Sequence, residues 1–441
     1  MARGWLARAS AAASAVTLAL ALSGCTAAQP GSTPTGTAGG TVTPPPTSSA
    51  PALEAACVAD PASVIDRVLP SAASGAMPAG TAAALDKAAQ DGLSNASSPG
   101  AIVAVRSPEG TWIKALGLAD KATDTPMTPD MYLRIGSVTK TFTGTLVLQL
   151  AQEGRLSVED PIGKYLPDIP RGNDVTIRML LNMTSGIASY SIDPTFQQEI
   201  FSNPSKQWNP DDLIAKGLAL PRPFEPGAKF DYSNTNTLIL GRLIEKVTGT
   251  TYADALQTHI FDPLSLSGTS MPGSDGALPV PHPTGLTLQG LPDGQTTPQD
   301  ATAWNPSWGW TAGALSSTAA DMLTYGRALG TGQGLLDPET QALRFASIPG
   351  PAGYGLAVGC IDGWFGHSGE IPGFNTALYY DTRSDTTVAI LANSDILSGN
   401  CTQSPTLPGN PTQLPCIDPA GRILIAVSAA LGRAFMPNTK S

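Results

Sequence analysis

Apolar and polar positions divide the chain into strand-like ends and a helical middle. From Ser137 to Gly154 the residues Phe142, Leu146 and Leu150 recur every four positions, the spacing of one helix face. Few charges interrupt this stretch, so the pattern predicts a buried helix that opens at Ser137. Gly136 gives it a flexible entry, and Gly154 suits the left-handed residue that ends a helix. Residues 81–95, with Ala84, Leu85, Ala88 and Leu93 apolar, predict an earlier helix. Residues 101–106 and 111–117 predict two strands joined by the turn Ser107-Pro-Glu-Gly110. From the Ser137 helix to about residue 330 the pattern is mainly helical with long loops. Strand patterns return at 354–360, 375–381 and 386–392. Residues 422–435 read as a terminal helix, too short and too closely flanked by arginines to span a membrane.

The N-terminus has a different texture. Arg3 and Arg8 precede an Ala/Leu/Val run that ends in Leu22-Ser-Gly-Cys25, and residues 1–24 read as an export signal. The tetrad resembles the bacterial lipobox, which implies a lipidated Cys25 as the mature N-terminus, anchored to the outer face of the cell membrane. Residues 25–52 form a Pro/Thr/Ser-rich tether whose composition cannot build a core. Residues 53–80 form an N-terminal extension in which Leu53, Val58, Val64, Ile65, Val68 and Leu69 could pack on the domain. The folded domain is expected over 81–441.

Composition narrows the chemistry. The net charge of -10 over 441 residues argues against a nucleic-acid partner. The three histidines, His259, His282 and His367, are far apart and form no zinc-binding spacing, so no metal is expected. There is no G-x-S-x-G elbow and no Walker-type loop, and no cofactor is expected. Apart from Cys25 the cysteines are Cys57, Cys360, Cys401 and Cys416, an even number that predicts two disulfides in an exported protein. Three connectivities are open. Cys401–Cys416 is favoured because it closes a Pro/Gly/Asn-rich loop, which would leave Cys57 to pin the extension to Cys360. Residues 268–312 form a Pro/Gly-rich loop ending in Trp304, Trp308 and Trp310; these read as packing residues rather than as the floor of a cleft.

Ser137 and Lys140 lie three apart at a helix start, so they share a face. A serine hydroxyl needs a base, and a buried lysine loses its proton readily enough to be one. Every other lysine has a residue other than serine three places before it. Tyr232 and Asn234 follow the turn Pro226-Gly227 and could both enter one cleft from an extended loop. In Gly366-His-Ser-Gly-Glu-Ile-Pro-Gly373, Gly369 would let the strand edge approach a substrate closely, and Glu370 would bring negative charge to the site.

Taken in order, Ser137-x-x-Lys140, Tyr232-x-Asn234 and His367-x-Gly369 resemble the three motifs of the penicillin-recognising serine hydrolases. The likeness is to the branch holding class C β-lactamases, serine D-alanyl-D-alanine carboxypeptidases and related esterases. Leu180-Leu-Asn-Met-Thr-Ser-Gly-Ile187, Ala312-Gly-Ala-Leu-Ser-Ser317 and Pro372-Gly-Phe374 add to it, over residues 82–435. The resemblance implies an α/β (α+β) fold, an antiparallel sheet flanked by helices with a mainly helical insertion. It implies that Ser137 is acylated, that Lys140 and Tyr232 share general-base work, and that Asn234 holds the substrate amide and helps position Lys140. The backbone N–H groups of Ser137 and Glu370 would form the oxyanion hole. His367 stands where β-lactamases of the branch usually carry lysine. A histidine is charged only near or below pH 6.5, so weak β-lactam hydrolysis is expected. The expected substrate is a small D-Ala-D-Ala-type peptide from peptidoglycan, an ester or a β-lactam. The alternatives are a β-lactamase or a silent penicillin-binding scaffold.

Overall fold

The computed structural model describes residues 56–292 and 294–437. The signal at 1–24, Cys25, the tether and Leu53 lie outside the described residues. Eight strands form one sheet: β1 (Gly100–Ser107), β2 (Gly110–Asp120), β3 (Thr125–Pro126), β4 (Ala352–Tyr354), β5 (Gly359–Ile361), β6 (Trp364–Ile371), β7 (Phe374–Asp381) and β8 (Thr386–Ala392). Their order is β3-β2-β1-β8-β7-β6-β5-β4, and every pair is antiparallel. The chain enters by one half of the sheet and returns by the other, so β1 pairs with β8 across nearly the whole sequence.

Both faces of the sheet are covered. Helices α1 (Ala79–Ser94) and α5 (Pro419–Ala430) pack on one face, where Leu85, Leu93, Ile423 and Val427 meet Val103, Val105, Val388 and Ile390. On the other face Ile102, Ala104, Ala389 and Leu391 join the core that holds α2 (Thr139–Gln152), α3 (Asn234–Thr248) and α4 (Ala319–Thr331). Successive strand residues point to opposite faces, so a strand covered on both sides is apolar at every position. That is why 386–392 is legible as a strand without any alternation. The predicted helical insertion between 137 and 330 holds α2, α3, α4 and the shorter helices Pro194–Ser202 and Pro210–Ala219.

One strand expectation needs correction. Residues 354–360 are not one strand: β4 and β5 form a hairpin in register Ala352↔Ile361, turning through Ala357 at φ 57°. Strand β6 has no apolar signature because Gly366 and Gly369 interrupt it. A Cβ on Gly366 would lie 2.0 Å from the Leu378 carbonyl oxygen, so a crowded neighbour excluded the side chain that would have marked the strand.

Disulfides join Cys57 to Cys360 and Cys401 to Cys416. With Val58 and Val64 buried, the first bond ties the extension into the same core, while Val68 is 83% exposed. The bonds span 303 and 15 residues. Loop-closure entropy assigns them about 6 and about 3 kcal/mol. Replacing Cys401 and Cys416 by Ala should therefore cost less in urea denaturation than replacing Cys57 and Cys360; the reverse order would contradict this account.

Candidate active site

Ser137 sits in the single 3-10 turn Gly136–Val138 that leads into α2. Gly136 has φ 50°, and a Cβ there would lie 2.5 Å from the Glu370 backbone nitrogen. A Cβ on Gly369 would lie 1.9 Å from the Ile135 carbonyl oxygen and 3.0 Å from the Ser137 nitrogen. Two glycines thus let β6 lie directly against the nucleophile's turn. This corrects one expectation: the room that Gly369 makes is filled by that turn and not by a substrate. The two-residue turn Pro372-Gly373 makes Ile371↔Phe374 the closing pair of the β6–β7 hairpin, so by alternation the Glu370 N–H is directed away from β7, toward Ser137. The backbone nitrogens of Ser137 and Glu370 are thereby neighbours.

Lys140 is fully buried. Its Nζ donates to Ser137 Oγ at 2.9 Å and to the Ala312 carbonyl at 2.8 Å. Among the described residues no carboxylate pairs with it, and burial pushes its pKa well below the ordinary lysine value. Segment 311–315 is sewn to α2 by Thr143 Oγ1, which donates to the Thr311 carbonyl at 2.7 Å, and by the Ile135 N–H, which donates to the Leu315 carbonyl at 2.9 Å. The resemblance gave Asn234 a part in positioning Lys140. The structure gives that part to Ala312.

Tyr232 is delivered by a pinned turn: the Gly227 N–H donates to the Thr184 carbonyl at 2.8 Å and the Asp231 N–H to the Met183 carbonyl at 2.9 Å. Its ring centroid is 4.8 Å from Lys140 Nζ and 6.2 Å from that of His367. Its hydroxyl is buried and makes no regular hydrogen bond. Burial raises its pKa, and nearby Ser137 pulls it partly back. Asn234 is not on an extended loop; it is the first residue of α3. Its Nδ2 donates to Ser191 Oγ at 3.3 Å, and its backbone N–H donates to Ser189 Oγ at 3.1 Å.

His367 is 5% exposed. Its Nδ1 faces the Ser368 carbonyl, which can only accept, so that nitrogen carries the proton. Nε2 then accepts from the Tyr354 hydroxyl at 3.2 Å. Burial, and next the charge of Lys140, lower its pKa to about 4 against a small opposing pull from Ser368. The ring is neutral at pH 7. This corrects the expectation of titration near pH 6.5, and it leaves the position without the cation that a lysine would supply. Tyr354 and Ala312 were not legible as site residues, because one acts through a hydrogen bond across a hairpin and the other through its backbone.

The tryptophans pack. Trp310 lies against Tyr252 and under Arg242, Trp308 against Phe196, and Trp304 near Phe201.

A family model described as Beta-lactamase matches residues 85–400. The chain belongs to the β-lactamase family. As a member of that family it is a serine hydrolase. It is 29% identical over 278 residues to Penicillin-binding protein 4 of Amycolatopsis lactamdurans, covering 60% of this chain and 68% of that protein. It is 32% identical over 192 residues to Protein flp of Staphylococcus aureus, 42% of this chain but only 37% of that relative's length. Among solved structures, the D-stereospecific amidohydrolase from Streptomyces sp. superposes with a TM-score of 0.65 and 32% identity, over 71% of this chain and 94% of that one.

Two outcomes check this site. Gly369→Ala should cut kcat/KM at least ~100-fold, the scale of losing one oxyanion donor, because the strand must retreat from Ser137; near-normal activity would show that the close approach is dispensable. The imidazole of His367 should titrate by NMR with a midpoint near 4. Between pH 6.5 and 4 the unfolded chain binds the extra proton, so this residue's contribution to stability falls as pH drops through that window. A midpoint at 6.5 would contradict the buried neutral ring.

Proposed function

We propose that this β-lactamase-family enzyme hydrolyses amide or ester bonds of D-configured amino-acid and peptide substrates through an acyl-Ser137 intermediate, in the manner of a D-alanyl-D-alanine carboxypeptidase or esterase. The observation that carries the reading is the 2.9 Å contact between Ser137 Oγ and an amine kept out of water. Neutral Lys140 keeps one N–H on Ala312 and turns its lone pair toward Ser137, taking the hydroxyl proton as Oγ attacks the carbonyl carbon. The new oxyanion is met by the N–H groups of Ser137 and Glu370. The proton on Lys140 then passes to the departing amine or alcohol, with the Tyr232 phenol in its path. Water repeats the sequence on the acyl-enzyme and releases the acid.

The opposed shifts divide the labour. Lys140, with its pKa lowered, is the proton acceptor, and Tyr232, with its pKa raised, is the donor and relay. The likeness to a D-stereospecific amidohydrolase supports D-configured substrates, and the likeness to a penicillin-binding protein supports peptide or β-lactam substrates. Slow β-lactam turnover belongs to this reading, since His367 offers no cation to a substrate carboxylate. The lipobox-like tetrad that ends in Cys25 supports an exported enzyme anchored at the cell surface.

A fluorophosphonate probe should label wild-type protein at Ser137 and leave Ser137→Ala unlabelled; wild type that takes no label, and forms no acyl adduct with a D-alanyl ester, would remove the reading. Because Lys140 must shed its proton to act, kcat/KM should rise with pH and reach its plateau well below pH 10.5.

A further inference from the structure

A cavity of about 540 Å³ lies between residues 288–292 and the loop 395–405. Glu370 belongs both to the active site and to this cavity: its backbone nitrogen stands against Gly136, and its side chain lines the cavity. Asp395 lines the same cavity and is 5% exposed. Its Oδ2 accepts from Thr287 Oγ1 at 2.9 Å and from Gln289 Nε2 at 2.5 Å. Its Oδ1 is buried and has no hydrogen-bond partner. The Gln289 amide also reaches Glu370 Oε1 at 3.4 Å, so the two carboxylates flank one side chain. Among the described residues no lysine, arginine or histidine lines the cavity.

A buried carboxylate oxygen without a donor carries a desolvation penalty that a ligand donor would remove. Burial, and next the charge of Glu370, hold the Asp395 pKa up at about 7, so a cation beside Asp395 would favour its ionised form. Among the described residues no group of three His, Cys, Asp or Glu could hold a metal ion. An ammonium suits two separated acceptors better, because its three N–H donors need no coordination shell.

The geometry also says which end of the substrate lies here. The leaving group must face Tyr232 and Lys140, which stand on the His367 side of β6. Glu370 is on the other side of Gly369 along the same strand, so the acyl portion extends toward the cavity. We propose that Glu370 and Asp395 form a subsite for an ammonium group on the acyl portion of the substrate. The proposal rests on the acyl-serine reading above and names the substrate class within it: free-amine D-aminoacyl or peptidyl compounds, in preference to N-blocked ones.

The test compares D-lysyl p-nitroanilide with its Nα,Nε-diacetyl derivative. Wild type should favour the free amine by at least roughly tenfold in kcat/KM, the size of one charge-assisted hydrogen bond. In Glu370→Gln and in Asp395→Asn that ratio should fall toward one, with thermal melting confirming that each variant is folded. The ratio is read within each variant, so a general loss of rate does not imitate the effect. A labelled wild type without preference, or a preference that survives in both folded variants, overturns the subsite and leaves the acyl-serine reading standing. A wild type that takes no fluorophosphonate label and makes no acyl adduct overturns both.

Discussion

The contact on which the site depends is backbone against backbone: β6 pressed onto the turn that carries Ser137. Positions 136 and 369 both have to be glycine, because a methyl group at either would collide with a main-chain atom opposite. The contact brings the amide nitrogens of Ser137 and Glu370 side by side and sets His367 over Lys140 and Tyr232. It also couples the two parts of the fold. The strand belongs to the sheet, the turn belongs to the helical side, and hydrogen bonds from α2 to segment 311–315 keep the second from moving away from the first. Oxyanion donors work through rigidity, since they cost nothing to reorganise when charge develops.

Desolvation then sets every protonation state in the site. The same burial that lowers Lys140 and His367 raises Tyr232 and Asp395, because in each case it disfavours the charged form. The result is a centre in which burial favours the uncharged form of each of these groups. Among the described residues no ion pair holds Lys140, and the Ala312 carbonyl fixes it by accepting one N–H without engaging its lone pair. A site of this kind gains a more readily deprotonated amine from the fold at the expense of stability, since a buried amine without a counter-ion contributes less than a packed apolar side chain.

The reach of sequence reasoning follows the range of the interactions. The period of Phe142, Leu146 and Leu150 and the apolar runs of β1, β7 and β8 are local, and they placed those elements to within a few residues. Short motifs in a fixed order pointed to Ser137, Lys140, Tyr232 and His367 because their order along the chain resembles that of a known family, whatever the packing around them. Strand β6 escaped the hydrophobic pattern because its glycines answer to atoms far along the chain. The 354–360 hairpin escaped it because Ala357 takes a left-handed turn that its residue type does not announce.

What the sequence determined by itself was therefore the candidate reacting groups, the helix that carries Ser137 at its entry, and the layout of strands at both ends with helices between. Only the tertiary structure decided their electrical state and their neighbours: that His367 is neutral, that Ala312 rather than Asn234 holds the lysine, and that Asp395 and Glu370 share a cavity. The reason is physical. Periodicity and side-chain chemistry act over a few residues, whereas burial and mutual electrostatics depend on atoms hundreds of positions apart.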